Sequence, residues 1–178
     1  MEITLKTNKP ETLQSFLADF QMPLAESHKG ENGKALIIGG SQLFHASVLW
    51  SAEIASHFVD LLHFASTNEN NELLMKMKVI FRNGIVIPQR EIPGYIEEDE
   101  SILIGPGMVR TKLDKQNQPV IPFEEIFELK DEGKITYHIT RHILQRYPDK
   151  RFVLDAGALQ MMDPDWLTQL NCKPILTP

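Results

Sequence analysis

The sequence predicts an α/β protein built on a mainly parallel sheet, and three observations carry that expectation. Short apolar runs, among them Ala35-Leu36-Ile37-Ile38, Leu61-Leu62-His63-Phe64-Ala65, Ile102-Leu103-Ile104 and Phe152-Val153-Leu154, alternate with segments of helical periodicity. Such runs lack the in-out alternation of a half-exposed strand and fit strands buried on both faces. Their exits are small or polar clusters: Gly39-Gly40-Ser41, Ser66-Thr67, Gly105-Pro106-Gly107 and Asp155-Ala156-Gly157. Right-handed crossovers place such exits on one rim with helices on both faces, and open α/β sheets bind ligands on that rim.

Taken in order, Pro10 to Phe20 is the first helix expected, with Leu13, Phe16, Leu17 and Phe20 on one stripe and Pro10 in the first turn. A polar loop with Pro23, Gly30 and Gly33 leads to the strand at Lys34. A helix from Ala46 to Val59 follows, with Ser47, Ser51 and Ala52 small enough for close approach. Glu72 to Phe81 reads as the next helix, and Asn83-Gly84 as a turn before Ile85-Val86-Ile87-Pro88. Gln89 to Glu100 is charged and contains Pro93-Gly94, which reads as a surface connection. After the strand at Ser101 and a polar loop, helices are expected over Phe123 to Lys130 and Tyr137 to Arg146, with Gly133 between them. Ala158 to Met162 reads as a short helical turn, Asp163-Pro164 opens another reaching Leu170, and Ile175-Leu176-Thr177 starts a last strand.

Bulk properties bound the function. The 178 residues suit one domain with a real core, and 42% hydrophobic with 24% charged residues is ordinary globular composition. A net charge of −6 and the lack of a basic run argue against nucleic acid as a partner. No apolar run approaches the roughly 20 residues that span a bilayer, so no membrane association is expected. Cys172 is the only cysteine, which excludes an internal disulfide and points to a reducing, cytoplasmic setting.

The Gly-Gly-Ser turn has two readings. It either makes a tight turn, or presents free N–H groups to an anion where the helix at Ala46 begins. Gly105-Pro106-Gly107 is likewise either a rigid structural turn or a place where backbone touches a ligand. Asp155, at a strand end, can order a metal-bound water or cap the following turn. His138 and His142 have the i, i+4 spacing of metal ligands, but no third ligand or His-Glu-x-x-His pattern accompanies them. His45 either faces the site or points to solvent. Gly-x-Gly-x-x-Gly and the Walker pattern are both absent, which argues against ordinary Rossmann dinucleotide binding.

Five stretches together are more specific than any one. His28-Lys29-Gly30-x-x-Gly33-Lys34, Leu36-Ile37-Ile38-Gly39-Gly40-Ser41, Ile104-Gly105-Pro106-Gly107-Met108, Val153-Leu154-Asp155-Ala156-x-Ala158-Leu159 and Pro174-Ile175-Leu176-Thr177-Pro178 occur in the order and spacing of one group. From about Glu26 to Pro178 the chain resembles the ADP/ATP-dependent NAD(P)H-hydrate dehydratases of the ribokinase-like superfamily. The resemblance implies a three-layer α/β/α domain and a repair lyase. Such a lyase uses ADP or ATP with Mg2+ to remove water from the hydrated nicotinamide ring of NAD(P)HX. It implies that Gly39, Gly40, Ser41, Ser47, Gly105 and Gly107 bind that substrate and that Asp155 belongs to the phosphate and Mg2+ environment.

Departures are visible as well. The family's Gly-Ala falls on Ala46-Ser47, the glycine after its Gly-Pro-Gly-Leu is Val109, and its second aspartate is Gly157. No Gly-x-Gly-Asp, the family's anion hole and proposed base, occurs in the 178 residues. The resemblance therefore implies the substrate-side portion of one domain, 1–178, incomplete at its C-terminal end and holding no catalytic residue of its own. An open parallel sheet then calls for a second copy, as in a homo-oligomer, or for a complementing C-terminal segment. Two rivals stand beside the dehydratase: a small-molecule kinase of the same superfamily, and a non-catalytic dinucleotide-binding or assembly module.

Overall fold

Six strands, β1 (Lys34–Ile38), β2 (Leu61–Ser66), β3 (Ile85–Pro88), β4 (Ser101–Ile104), β5 (Arg151–Asp155) and β6 (Ile175–Thr177), make one sheet in the order β3-β2-β1-β4-β5-β6. Every adjacent pair is parallel. The computed structural model describes residues 8–10, 13–14, 17–18, 22–79 and 84–178. Most of the helix expected from Pro10 to Phe20, including Phe16 and Phe20, lies outside the described residues, as do Phe81 and Asn83.

The central strand decides the layering. Leu36 and Ile38 point into one core, while Ile37 between them points into the other, and all three are essentially inaccessible. Strand alternation thus supplies apolar side chains to both faces. On one face Val48, Leu49 and Ala52 of helix α1 (Ala46–Ala55) and Leu74 of helix α2 (Asn68–Met77) cover Ile37, Leu62 and Phe64. The larger core on the other face gathers Ile102, Ile104, Phe152 and Leu154 beneath α3 (Ile92–Tyr95), α4 (Glu132–Arg146) and α5 (Ala156–Met161). The result is the three-layer α/β/α arrangement. At the far edge of the sheet Ile175 and Leu176 of β6, which point to opposite faces, are both exposed.

Several boundaries differ from expectation, mostly because capping side chains outrank hydrophobic periodicity. Helix α2 starts at Asn68 instead of Glu72, since the Thr67 hydroxyl accepts the Asn70 N–H at 3.4 Å. Gly133 sits in the first turn of α4 rather than between helices. Asp131 caps that helix by accepting the Lys134 N–H at 3.1 Å. Helix α1 ends at Ala55, short of Val59. Phe123–Glu128 and Pro164–Gln169 are 3-10 turns, the second opened by the Asp163 carboxylate accepting the Asp165 N–H. The charged stretch after β3 is not merely a surface connection, because Ile92 and Ile96 are fully buried beneath it.

The loop before β1 is fastened by one carboxylate. Asp60 Oδ2 accepts the Gly30 N–H at 3.0 Å, the Asn32 N–H at 3.1 Å and the Asn32 side-chain amide at 2.9 Å. These bonds, the Asn32 N–H foremost, hold its ionisation below the usual carboxylate range. A carboxylate with a depressed pKa in the folded state stabilises at pH values above its unfolded pKa, and that contribution fades as pH falls through the lower, folded value. Asp60→Asn is therefore expected to lower the urea midpoint at neutral pH. The gap from wild type should close progressively as pH falls below about 4, the unfolded carboxylate range.

Candidate active-site cleft

Strand order reverses between β1 and β4, so the crossovers leaving them part to opposite sides and open a crevice at their carboxyl ends. The two glycine turns meet there. The Gly105 N–H donates to Ile38 O at 3.0 Å, and the Gly40 N–H donates to Pro106 O at 2.7 Å. These bonds continue the β1–β4 ladder beyond the strands and lock one turn to the other.

Close packing explains why glycine stands at several of these positions. A Cβ on Gly39 would lie 2.4 Å from Pro106 O. Gly40 has φ +76°, and its Cβ would meet the Asn70 amide at 2.3 Å and Ser66 Oγ at 2.4 Å. Gly107 lies against Ser47 Oγ and the Cα of Gly40. Gly105 abuts the Asp155 carbonyl, so the exit of β5 joins the same rim. The structure thus brings Gly39, Gly40, Ser41, Ser47, Gly105, Gly107 and Asp155 to one end of the sheet.

A polar network sets the Gly-Gly-Ser turn. Ser66 Oγ donates to Gly39 O at 2.6 Å, and the Asn70 amide donates to Ser41 O at 3.1 Å. Ser41 Oγ accepts the Phe44 N–H at 2.9 Å. His45 does not simply point to solvent, because its Nδ1 pairs with Asn70 Oδ1 at 2.8 Å. Asn70 itself is fully buried. It is the hub of the turn, and sequence reading passed over it; its place three residues after a Ser-Thr strand exit was the available signal.

Asp155 departs from the capping alternative. Its side chain makes no cap bond to α5; Oδ1 instead accepts the Thr177 hydroxyl at 2.8 Å, tying β5 to β6. Ala156 beside it takes a positive φ of 36°. A carboxylate and a hydroxyl at a strand exit are hard oxygen donors of the kind that meet Mg2+ together with phosphate oxygens. Among the described residues no group of three or more His, Cys, Asp or Glu forms a ready metal cage.

The crevice is a cleft of about 780 Å³ over the ends of β2, β3 and β4, lined among others by Gln42, Thr67, Arg90, Arg110, Asp131 and Glu132. A smaller recess of about 40 Å³ reaches Gly40, Ser41, Met108 and Val109. Gly39, Ser47, Gly105, Gly107 and Asp155 stand behind or beside these surfaces rather than lining them. The wall is built across long sequence distances: the Gln42 N–H donates to Glu132 Oε1 at 2.9 Å, and Arg90 pairs with Glu128 at 2.6 Å. No helix among the described residues is long and apolar enough to cross a membrane.

No family model matches the sequence, and no curated protein does. Solved structures do match. A ribokinase-like superfamily protein of Enterococcus faecalis is similar over 89% of this chain and 49% of its own, at 19% identity and a TM-score of 0.60. A hypothetical protein of Streptococcus mutans matches over 89% and 50% of the two chains, at 17% identity and a TM-score of 0.56. Bacillus subtilis YxkO, a UPF0031 family member put forward as a kinase, matches over 85% and 47%, at 18% identity and a TM-score of 0.51. The chain spans about half the length of each of these proteins. Its six parallel strands and two helical layers are the ribokinase-like fold.

Proposed function

We propose that this chain is the substrate-side portion of an ADP- or ATP-dependent NAD(P)H-hydrate dehydratase. One observation carries the reading: the Gly-Gly-Ser and Gly-Pro-Gly turns are hydrogen-bonded together at the switch point of the sheet, beside a cleft of about 780 Å³. A cleft of that size admits a nucleotide, and its mixed lining of Arg90, Arg110, Asp131 and Glu132 suits a ligand with phosphates and hydroxyls. In this reading the nucleotide, with Mg2+, supplies the phosphoryl group that turns the ring hydroxyl into a leaving group. The chain's own part is positioning. Ser41, with the backbone of Gly39 and Gly40, orients the dinucleotide; Gly105 and Gly107 keep the facing turn close, and Ser47 adds a hydroxyl beside Gly107. Asp155 sits where a phosphate or its metal would be met. The base for the ring proton comes from polypeptide beyond these residues. The exposure of Ile175 and Leu176 supports further polypeptide, from a second copy or a complementing segment, covering that edge of the sheet.

The test incubates the full-length protein with Mg2+, hydrated NADH or NADPH, and ADP or ATP. Return of the reduced-nicotinamide absorbance is the expected result. No recovery with either nucleotide overturns the dehydratase. A second reading, a small-molecule kinase, has one observation in its favour: the similarity to a protein put forward as a kinase. Transfer of phosphate from ATP to a stable alcohol, with no recovery of absorbance, would select it.

A further inference from the structure

We propose that the recess between α4 and the loop at 118–121 is a binding site for a small oxyanion, a phosphoryl or carboxylate group. The recess holds about 180 Å³ and is lined by His138, Arg141, His142, Gln145 and Arg146 of the helix and by Val120 and Ile121 of the loop. The i, i+3 and i, i+4 spacings of α4 bring these polar side chains onto one face. His138 is only 5% exposed, packs edge-on against Tyr137, and its imidazole makes no hydrogen bond to a described residue. Arg141 is half-spent: one terminal nitrogen donates to Gln118 O at 3.1 Å and Pro119 O at 3.3 Å, while its Nε is buried without a partner. Buried donors left unpaired cost free energy that an acceptor would recover.

The charge around the recess selects an anion over a metal. Two guanidinium groups flank the two imidazoles and would repel a cation that the His pair alone could hold. The charged groups acting on the imidazoles are Arg141 and Lys134 on His138, and Arg146 and Glu124 on His142; only Glu124 is acidic. Both imidazoles ionise below the usual histidine range, first because burial disfavours the charge and then because of these cations. A bound oxyanion reverses that balance, so binding takes up protons and strengthens as pH falls. The site lies outside the cleft described above and does not depend on the dehydratase reading.

Sulfate is the probe, because its charge is constant over the working range. Titrated into the intact protein, it is expected to shift the His138 and His142 ring resonances saturably. Affinity should rise as pH falls from 8 to 6, by about tenfold for each pH unit over which a full proton is taken up. Arg146→Gln, at an exposed position, and His142→Gln, at a half-buried one, should each weaken binding about fivefold or more, the loss of a charge-assisted bond. Competition by inorganic phosphate points to a phosphoryl source and by acetate to a carboxylate source; either upholds the site. The proposal is overturned if no saturable shift occurs, if both variants bind sulfate like wild type, or if Zn2+ and not sulfate moves the two resonances.

Discussion

Replacing His63 by leucine is expected to cost about 3–5 kcal/mol of folding stability, the penalty of stranding the buried carboxyl of Asp99 without its partner. His63 and Asp99 are each 1% exposed, and the imidazole Nδ1 lies 3.0 Å from both carboxylate oxygens. The ring of Tyr95 packs at 5.0 Å on the other side, and the Lys150 ammonium caps the Asp99 carbonyl at 2.7 Å. Burial drives the Asp99 carboxyl above its usual range; His63 does most to pull it back, and the Lys150 charge adds to that. Without the imidazole the carboxylate keeps its desolvation cost and loses most of its compensation, Lys150 alone remaining. A carboxyl with a raised folded pKa weakens the fold as pH rises above its unfolded value and does no harm once protonated. The deficit of His63→Leu should therefore be largest at neutral pH and shrink on acidification. The double variant His63→Leu/Asp99→Leu, with no charge left to bury, should regain most of the loss, and urea denaturation of the full cycle measures it. A single variant within about 1 kcal/mol of wild type would show that the pair carries no such compensation.

That pair also shows where the sequence stops being legible. The runs at Lys34, Ser101 and Arg151 could be read as strands because a parallel strand buried on both faces is apolar nearly throughout, and the sheet uses them so. Their exits could be placed on one rim because parallel strands leave a sheet on the same side, and Gly40, Gly107 and Asp155 do gather there. Contacts between distant segments were another matter. Nothing local to His63 announces Asp99, 36 residues away, and nothing local to His45 announces Asn70, 25 away. Ile92 and Ile96 were hidden by charged neighbours that face solvent while the two isoleucines turn inward. The walls of the cleft were equally hidden, since Gln42, Arg90 and Glu132 become neighbours only when the crossovers close.

Among the glycines whose packing is described, Gly105→Ala should be the most damaging added methyl. Gly105 holds φ at +124°, a region that side chains rarely adopt, and the added Cβ would lie 1.8 Å from the Asp155 carbonyl oxygen. Backbone strain of that kind costs about 1–3 kcal/mol. The overlap adds to it, because the contacting atom is backbone and cannot rotate away. The expected loss is about 3 kcal/mol or more, within the range reserved for strained positions and disrupted cores. Relief requires the β4 exit to move from the β5 exit, and Pro106 O would then leave the Gly40 N–H it now accepts at 2.7 Å. Binding in the cleft should fall together with stability, even though Gly105 does not line it. Gly94→Ala is the matched control. No atom lies within 4 Å of its added methyl, it sits in helix α3, and alanine is the better helix former. Its melting temperature should stay level or rise slightly. If Gly105→Ala melts where Gly94→Ala does, the β4 turn does not rest on Asp155, and the single rim on which the active-site assignment depends is not formed.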